Sequence, residues 1–131
     1  MKKIITILLL VLASRANAAD GLFDFFKNKS TPPTSGKLLI FYRADCRYCE
    51  NMSKVLEKEK GFVQLLEQHF NIQLMNIESE QGRLLADKFN VHAVPSVVKY
   101  ESNTGDWFKI KGFPGITKLA TRLRRLSLLL L

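Results

Sequence analysis

The chain has 131 residues, 47% of them hydrophobic and 24% charged, so it can hold one globular domain with a single core and is not a mainly disordered protein. Its formal charge of +8 would suit acidic partners, anionic lipid or nucleic acid, but the basic residues are scattered except for Arg122, Arg124 and Arg125. Because no nucleic-acid-binding motif accompanies them, we expect a solvated cationic surface and no nucleic-acid partner.

Residues 1–18 have the pattern of a signal peptide. They begin with two lysines, continue with an apolar run at residues 4–13 and end in a small-x-small cleavage site. A membrane anchor would need about 20 apolar residues, and this run is interrupted earlier. Cleavage after Ala18 removes three basic residues and no acid, which lowers the formal charge from +8 to +5. We therefore expect an exported, periplasmic protein in an oxidising compartment.

Residues 19–36 divide into an apolar part and a linker. The apolar part carries Leu22, Phe23, Phe25 and Phe26, which would either dock on the domain or contact a partner. The linker contains two consecutive prolines, which cannot join a helix interior or a central strand. The domain itself is therefore expected to span residues 37–131.

Strands and helices alternate along the predicted domain. Residues 37–43 form an apolar run without alternation, which is typical of a strand buried on both faces. The elements that follow are a helix at 46–58 with Asp45 as its N-cap, a helical segment at 62–70, a strand at 72–77 and a helix at 80–89. A strand beginning around Pro95 and another at 107–111 would form a hairpin, and a last helix would run from Ile116 to the C-terminus.

Helical spacing predicts which side chains of the first three helical segments point inward. They are Met52, Val55 and Leu56, then Phe62, Leu65, Leu66 and Phe70, then Leu84, Leu85 and Phe89. Parallel strands joined by helices and followed by an antiparallel hairpin give an α/β fold, with a mixed central sheet flanked by helices on both faces.

Cys46 and Cys49 stand at the start of the helix that follows the first strand. A helix N-terminus favours an anion, because its backbone N–H groups are unpaired and the positive end of the helix dipole lies there. We expect the sulfur of Cys46 at this exposed tip, with the positive charge of Arg47 beside it. Cysteines in such motifs have pKa values of about 3.5 to 7.5, against about 8.5 for a free thiol. Cys49, one turn further and facing the core, is suited to be the resolving thiol.

Two other interpretations of this cysteine pair stay open. A zinc site would need four ligands, and the two histidines, His69 and His92, are too far apart in sequence for a zinc-finger spacing. A purely structural disulfide would close so small a loop that it would contribute little stability. We expect a redox-active disulfide, no metal and no further cofactor. His92 could act as a proton shuttle, but a loop histidine is more typical of a surface.

From about residue 37 to residue 126 the sequence resembles the thioredoxin family. The resemblance rests on the strand ending at residues 40–45, the cysteine motif opening a helix, Pro95 ahead of a later strand, and Gly112 before the last helix. It implies a thioredoxin-like fold and thiol:disulfide exchange through Cys46 and Cys49. It also implies a cis peptide bond before Pro95, facing the disulfide, and a substrate groove shaped by Pro95 and the backbone of Val94.

The motif Cys46-Arg47-Tyr48-Cys49 is similar to the Cys-x-Tyr-Cys of periplasmic disulfide isomerases of the Dsb group. This similarity implies exported proteins as substrates, a redox partner protein, and Arg47 and Tyr48 as further substrate-binding residues. It favours a reductase or isomerase over an oxidase. The sequence carries no indication of the oligomeric state.

Two departures from the family pattern limit this resemblance. Thioredoxins carry a buried acid six residues before the first cysteine, and Ile40 stands there instead. Since that acid assists proton transfer at the resolving cysteine, its absence argues against fast dithiol reduction. We also expect a lone catalytic domain, without the family's N-terminal strand and helix and without a separate dimerisation domain.

An alternative from another class is a non-catalytic thioredoxin-like binding or chaperone module of an envelope assembly. Such a module would keep its partners when both cysteines are replaced. The C-terminal leucines at residues 126 and 128–131 follow basic residues and are too few to span a bilayer. They could lie on a membrane surface, meet a partner helix or form a core-facing end of the last helix, and the sequence does not decide between these.

Overall fold

The computed structural model describes residues 21–26 and 36–129, and the side chains of the last helix as far as Arg124. A 3₁₀ turn at Asp24–Phe26 precedes the domain. The domain consists of β1 (Gly36–Tyr42), α1 (Arg47–Lys58), α2 (Lys60–His69), β2 (Asn71–Asn76), α3 (Glu80–Lys88), β3 (Ser96–Glu101), β4 (Trp107–Lys111) and α4 (Ile116–Leu129). The predicted leader, the two consecutive prolines and the side chains of the C-terminal leucines lie outside the described residues.

The four strands form one sheet in the order β2-β1-β3-β4. β1 and β2 are parallel, whereas β3 runs antiparallel to both β1 and β4. This is the predicted mixed sheet with a C-terminal hairpin. Because Phe41 near the end of β1 pairs with Ser96 at the start of β3, the loop after β1 and the loop before β3 meet at the same end of the sheet.

β1 is buried on both faces, as its non-alternating sequence predicts. Leu38, Ile40 and Tyr42 face a first core, which is closed by α1, α2 and α4. Leu39 and Phe41 face a second core, which is closed by α3. Helices therefore cover both faces of the sheet. Each fully buried large apolar side chain contributes about 1.5–3 kcal/mol, so these two cores supply most of the favourable free energy of folding.

Two side chains predicted to point inward are exposed, and these predictions are wrong. Leu65 on α2 is 48% exposed and Leu84 on α3 is 66% exposed. On α3 the buried positions are Gly82 and Ala86, and Leu84 lies about 200° around the helix from both. The small residues bring α3 close to the sheet, and this turns the larger leucine toward solvent.

Gly82 marks a close approach between α3 and the end of β2. A Cβ atom added to Gly82 would overlap the backbone carbonyl of Asn76, whose position is set by the strand. We expect Gly82→Ala to lower the free energy of unfolding by about 1–3 kcal/mol. Gly61→Ala on α2 is the matched control, because its Cβ would meet nothing within 4 Å. The control should be neutral or stabilising by up to about 1 kcal/mol. Urea unfolding followed by circular dichroism measures both, and equal midpoints would contradict the close approach.

Lys99 is a basic side chain buried in the sheet. It is 7% exposed, and its Nζ lies 5.5 Å from the centroid of the Phe70 ring. Burial lowers the pKa of Lys99 because it disfavours the charged form, and the carboxylate of Glu101 opposes this shift. Lys99 lies three residues along β3 from Ser96, in the direction away from the loop that follows β1.

None of the described helices is long and apolar enough to cross a membrane.

Candidate active site

Helix α1 begins directly at the cysteine pair. Cys46 is the N-cap, with an extended backbone, and its Sγ accepts a hydrogen bond from the backbone N–H of Cys49 at 3.1 Å. The prediction that Asp45 caps this helix is wrong, because the sulfur one residue later takes that role. The carbonyl oxygen of Asp45 instead accepts a hydrogen bond from Nε of Arg43 at 3.3 Å. A hydrogen bond to the sulfur of Cys46 favours its thiolate once the disulfide is reduced.

Cys46 and Cys49 form a disulfide, with their Cα atoms 5.2 Å apart. Cys49 is fully buried and faces the first core, as predicted. Cys46 is 6% exposed, so the expectation of a sulfur at an exposed tip is wrong for the disulfide form. The loop before β3 lies against this sulfur. Cys46 is nevertheless the cysteine that keeps contact with solvent, and an external thiolate can reach only that side of the pair.

The loop before β3 faces the disulfide. The carbonyl oxygen of Val94 lies 3.9 Å from the Sγ of Cys46, and the Val94–Pro95 peptide bond is cis, as the resemblance implied. Two of its hydrogen bonds lie next to the start of β3. The hydroxyl of Ser96 donates to the backbone carbonyl three residues earlier at 2.6 Å, and the N–H of Gly112 donates to the carbonyl of Pro95 at 2.8 Å. The main chain at Val94 therefore has a defined position beside the sulfur.

Of the other residues considered from the sequence, three lie in the elements next to this contact, and His69 lies toward the opposite end of the sheet. Arg47 and Tyr48 lie in the first turn of α1 and are exposed, Tyr48 by 75%. His92 is exposed in the loop that leads to Val94, and His69 ends α2. Within residues 21–26 and 36–129, no group of three or more His, Cys, Asp or Glu side chains is arranged to hold a metal ion.

Ile40 stands six residues before Cys46, where the resemblance to thioredoxins would place an acid. It is 1% exposed and belongs to the same core as Cys49. Among the described residues, the buried side chains that are polar or charged are those of Ser53, Ser96 and Lys99, and none of the three carries a carboxyl group. The buried residues that the structure describes therefore offer Cys49 no carboxyl group with which to exchange a proton.

A family model described as TraF, F plasmid transfer operon protein, matches residues 34–123. The chain belongs to the TraF family. The match extends from β1 into α4 and so includes both cysteines, Val94 and Pro95. Comparison of this TraF family member with curated proteins gave no significant match.

Solved structures similar to this TraF family member have the thioredoxin fold. One is a thioredoxin-fold protein from Helicobacter pylori, with 24% identity, a TM-score of 0.58, and coverage of 72% of this chain and 71% of the other. A thioredoxin from Thermus thermophilus has 22% identity, a TM-score of 0.57, and coverage of 70% and 73%. Mitochondrial thioredoxin 3 from Saccharomyces cerevisiae has 20% identity, a TM-score of 0.55, and coverage of 72% and 82%.

These likenesses confirm the predicted thioredoxin-like fold. At such low sequence identities, the similarities establish the fold of this protein but not its substrate. Together with the disulfide between Cys46 and Cys49 at the start of α1, the fold indicates a thiol:disulfide oxidoreductase.

Proposed function

We propose that this TraF family protein is a periplasmic thiol:disulfide oxidoreductase that exchanges disulfides with exported proteins through Cys46 and Cys49. The observation that carries the proposal is the position of the Cys46 sulfur. It caps α1, accepts the N–H of Cys49 at 3.1 Å and lies 3.9 Å from the carbonyl of Val94. A sulfur at a helix N-terminus is a good leaving group and a good nucleophile near neutral pH, because its thiolate is stabilised there.

The exchange proceeds in two displacements. A substrate thiolate attacks the Sγ of Cys46, a new sulfur–sulfur bond forms, and Cys49 leaves as a thiolate that takes up a proton. A second substrate thiolate then attacks the substrate's own sulfur in this mixed disulfide, and Cys46 leaves as a thiolate hydrogen-bonded to the N–H of Cys49. Two electrons pass from the substrate dithiol to the pair. The reverse sequence reduces a substrate disulfide, with Cys49 attacking the sulfur of Cys46.

We assign substrate binding to the main chain at Val94 and Pro95. An extended substrate segment beside this loop would hydrogen-bond to backbone groups, as in strand addition, so that recognition tolerates many sequences. Arg47 and Tyr48 follow Cys46 in the first turn of α1 and are exposed, and their side chains would contact substrate side chains. Buried Cys49 would act only after the substrate is attached to Cys46.

Two observations support exported substrates. The signal-peptide pattern of residues 1–18 favours export, and the family description, F plasmid transfer operon protein, favours disulfide-bearing envelope proteins of a DNA-transfer apparatus as substrates. The tyrosine of the motif favours reduction or isomerisation. Either direction needs a redox partner protein that returns electrons to the pair.

The reduction potential of the Cys46/Cys49 couple tests this proposal. Equilibration in glutathione buffers should give a value between roughly −270 mV and −180 mV, the range from thioredoxin to protein disulfide isomerase. Insulin reduction should show turnover, and the variant with both cysteines replaced by serine should show none. A value near −120 mV, as in DsbA, would identify an oxidase and overturn the proposed direction. A disulfide that stays closed in every buffer would overturn the enzymatic function and favour the binding module.

A further inference from the structure

A short aromatic segment, residues 21–26, packs into the first core beside α1. Phe23 is fully buried, and its backbone N–H donates a hydrogen bond to the Oγ of Ser53 at 3.2 Å. Its ring meets that of Tyr42 edge to face, with centroids 5.8 Å apart. Phe26 is 7% exposed, and its N–H donates to the carbonyl of Phe23 at 3.0 Å. Of the two alternatives left open by the sequence, the structure therefore shows docking on the domain.

The aromatic segment connects the two elements that hold the cysteine pair. Ser53 lies one helical turn beyond Cys49 on α1, and both residues are buried. Tyr42 is the last residue of β1, directly before the loop that leads to Cys46. Phe23, Tyr42 and both cysteines belong to the same core. Phe23 thus bridges the end of β1 and the buried side of α1.

The backbone of Phe23 indicates that this contact is specific. Its φ is +60°, a left-handed conformation that bulky residues rarely adopt and that surrounding contacts must stabilise. Ser53 is one of the few polar side chains that are buried among the described residues, and serine is neutral to unfavourable in a helix interior. Here the hydroxyl accepts the N–H of Phe23. The hydrogen bond and the ring contact hold a segment that has no other regular structure beyond one 3₁₀ turn.

We infer that Phe23 is a positioning residue for the redox pair: acting through Ser53 and Tyr42, it holds α1 against β1 and keeps Cys49 out of solvent. The inference rests on the proposed function, in which Cys49 must resolve the mixed disulfide without reacting with outside thiols. A buried thiol has a raised pKa and reacts slowly, and local opening exposes it. Weakening the contact of Phe23 should therefore make Cys49 reactive.

The reactivity of Cys49 toward iodoacetamide tests the inference. In a Cys46→Ser background Cys49 is the remaining cysteine, since the chain has two. Two variants weaken the contact in different ways. Phe23→Leu keeps an apolar side chain but loses the ring, and Ser53→Ala removes the acceptor of the backbone hydrogen bond. Each should raise the alkylation rate of Cys49 by about tenfold, through more frequent local opening. The alkylation rate increases with pH as the thiol ionises. In the variants this increase should begin at a lower pH than in the parent, because an exposed thiol has a lower pKa.

Val98→Ala is the matched control for general loss of stability. Val98 is fully buried, but in the second core on the opposite face of the sheet. At the same temperature interval below its unfolding midpoint, this variant should leave the alkylation rate of Cys49 unchanged. An unchanged rate in both Phe23→Leu and Ser53→Ala, or an equal rise in Val98→Ala, would overturn the inference.

This measurement is independent of turnover. A wild-type protein without exchange activity would overturn the proposed function, yet faster alkylation in the two variants would still establish the positioning role. Conversely, normal insulin reduction by the wild type with unchanged Cys49 reactivity in the variants would overturn the positioning role alone.

Discussion

Cys46→Ser is expected to abolish disulfide exchange, whereas Cys49→Ala should leave the protein covalently attached to its substrates. Without the sulfur of Cys46 no mixed disulfide forms, so insulin reduction should fall by about 10³-fold or more, as when other enzymes lose their nucleophile. Without Cys49 the mixed disulfide forms but is not resolved. The two variants therefore separate attack from resolution.

The Cys46→Ser variant should lose its activity and still keep its folded stability. The Sγ of Cys46 caps α1 by accepting the N–H of Cys49, and a serine hydroxyl oxygen is among the best acceptors for this role. The disulfide closes a very short loop, so its loss should cost little stability. We expect the urea midpoint of the reduced parent and of Cys46→Ser to be close, although only the parent is active.

Non-reducing gels of envelope extracts would show the trapped species of Cys49→Ala as bands that disappear on reduction. The variant with both cysteines replaced is the matched control, because any partner that it retains is held without a covalent bond. Retained turnover in Cys46→Ser would contradict the assignment of the attacking sulfur. Equal partner capture by the control and by Cys49→Ala would indicate the non-catalytic binding module.

The order of elements could be predicted because the relevant patterns are local. The apolar run of β1 requires burial on both faces, and the position of Pro95 ahead of β3 brings its loop to the end of β1 where α1 begins. Sheet topology alone then brings Val94 near Cys46. The cis bond before Pro95 came from the resemblance to thioredoxins and not from any local pattern.

Details that depend on tertiary contacts could not be predicted in this way. The helical pattern of Leu85 and Phe89 predicts Leu84 to point inward with them, but the close approach of Gly82 to β2 decides which side of α3 is buried. The contact of Phe23 with Ser53 joins residues far apart in sequence, and an unexplained serine within a helix was its one local signal. Likewise, the path of the loop between β1 and α1 decides whether Cys46 or Asp45 is the N-cap of α1.

A carboxyl group introduced at Ile40 should make the stability of the protein depend on pH. Ile40 is 1% exposed, pairs with Val97 on β3 and lies in the first core with Cys49. Burial disfavours a charged carboxylate, so in Ile40→Asp the pKa of the new carboxyl should be raised in the folded state above its unfolded value of about 3.9. Ile40→Asn is the matched control, because it has nearly the same shape and does not titrate.

The sign of the effect follows from this raised pKa. Below about pH 3.9 the carboxyl is protonated in both folded and unfolded states, and Ile40→Asp and Ile40→Asn should be similarly stable. As the pH rises toward the folded-state pKa, Ile40→Asp should lose stability relative to Ile40→Asn. The loss is about 1.4 kcal/mol for each unit by which the pKa is raised. Urea unfolding between pH 4 and pH 8 measures this difference, and a constant difference across the range would mean that water reaches position 40.

The same two variants test the chemical consequence of having Ile40 in this core. A carboxylate at position 40, in the same core as Cys49, would give that thiol a carboxyl proton acceptor that the described buried residues lack. If proton exchange at Cys49 limits the reaction, Ile40→Asp should reduce insulin faster than Ile40→Asn above the folded-state pKa of the new carboxyl, despite its lower stability. Equal rates at every pH would mean that proton exchange with water is already fast, and that attack at Cys46 limits the reaction.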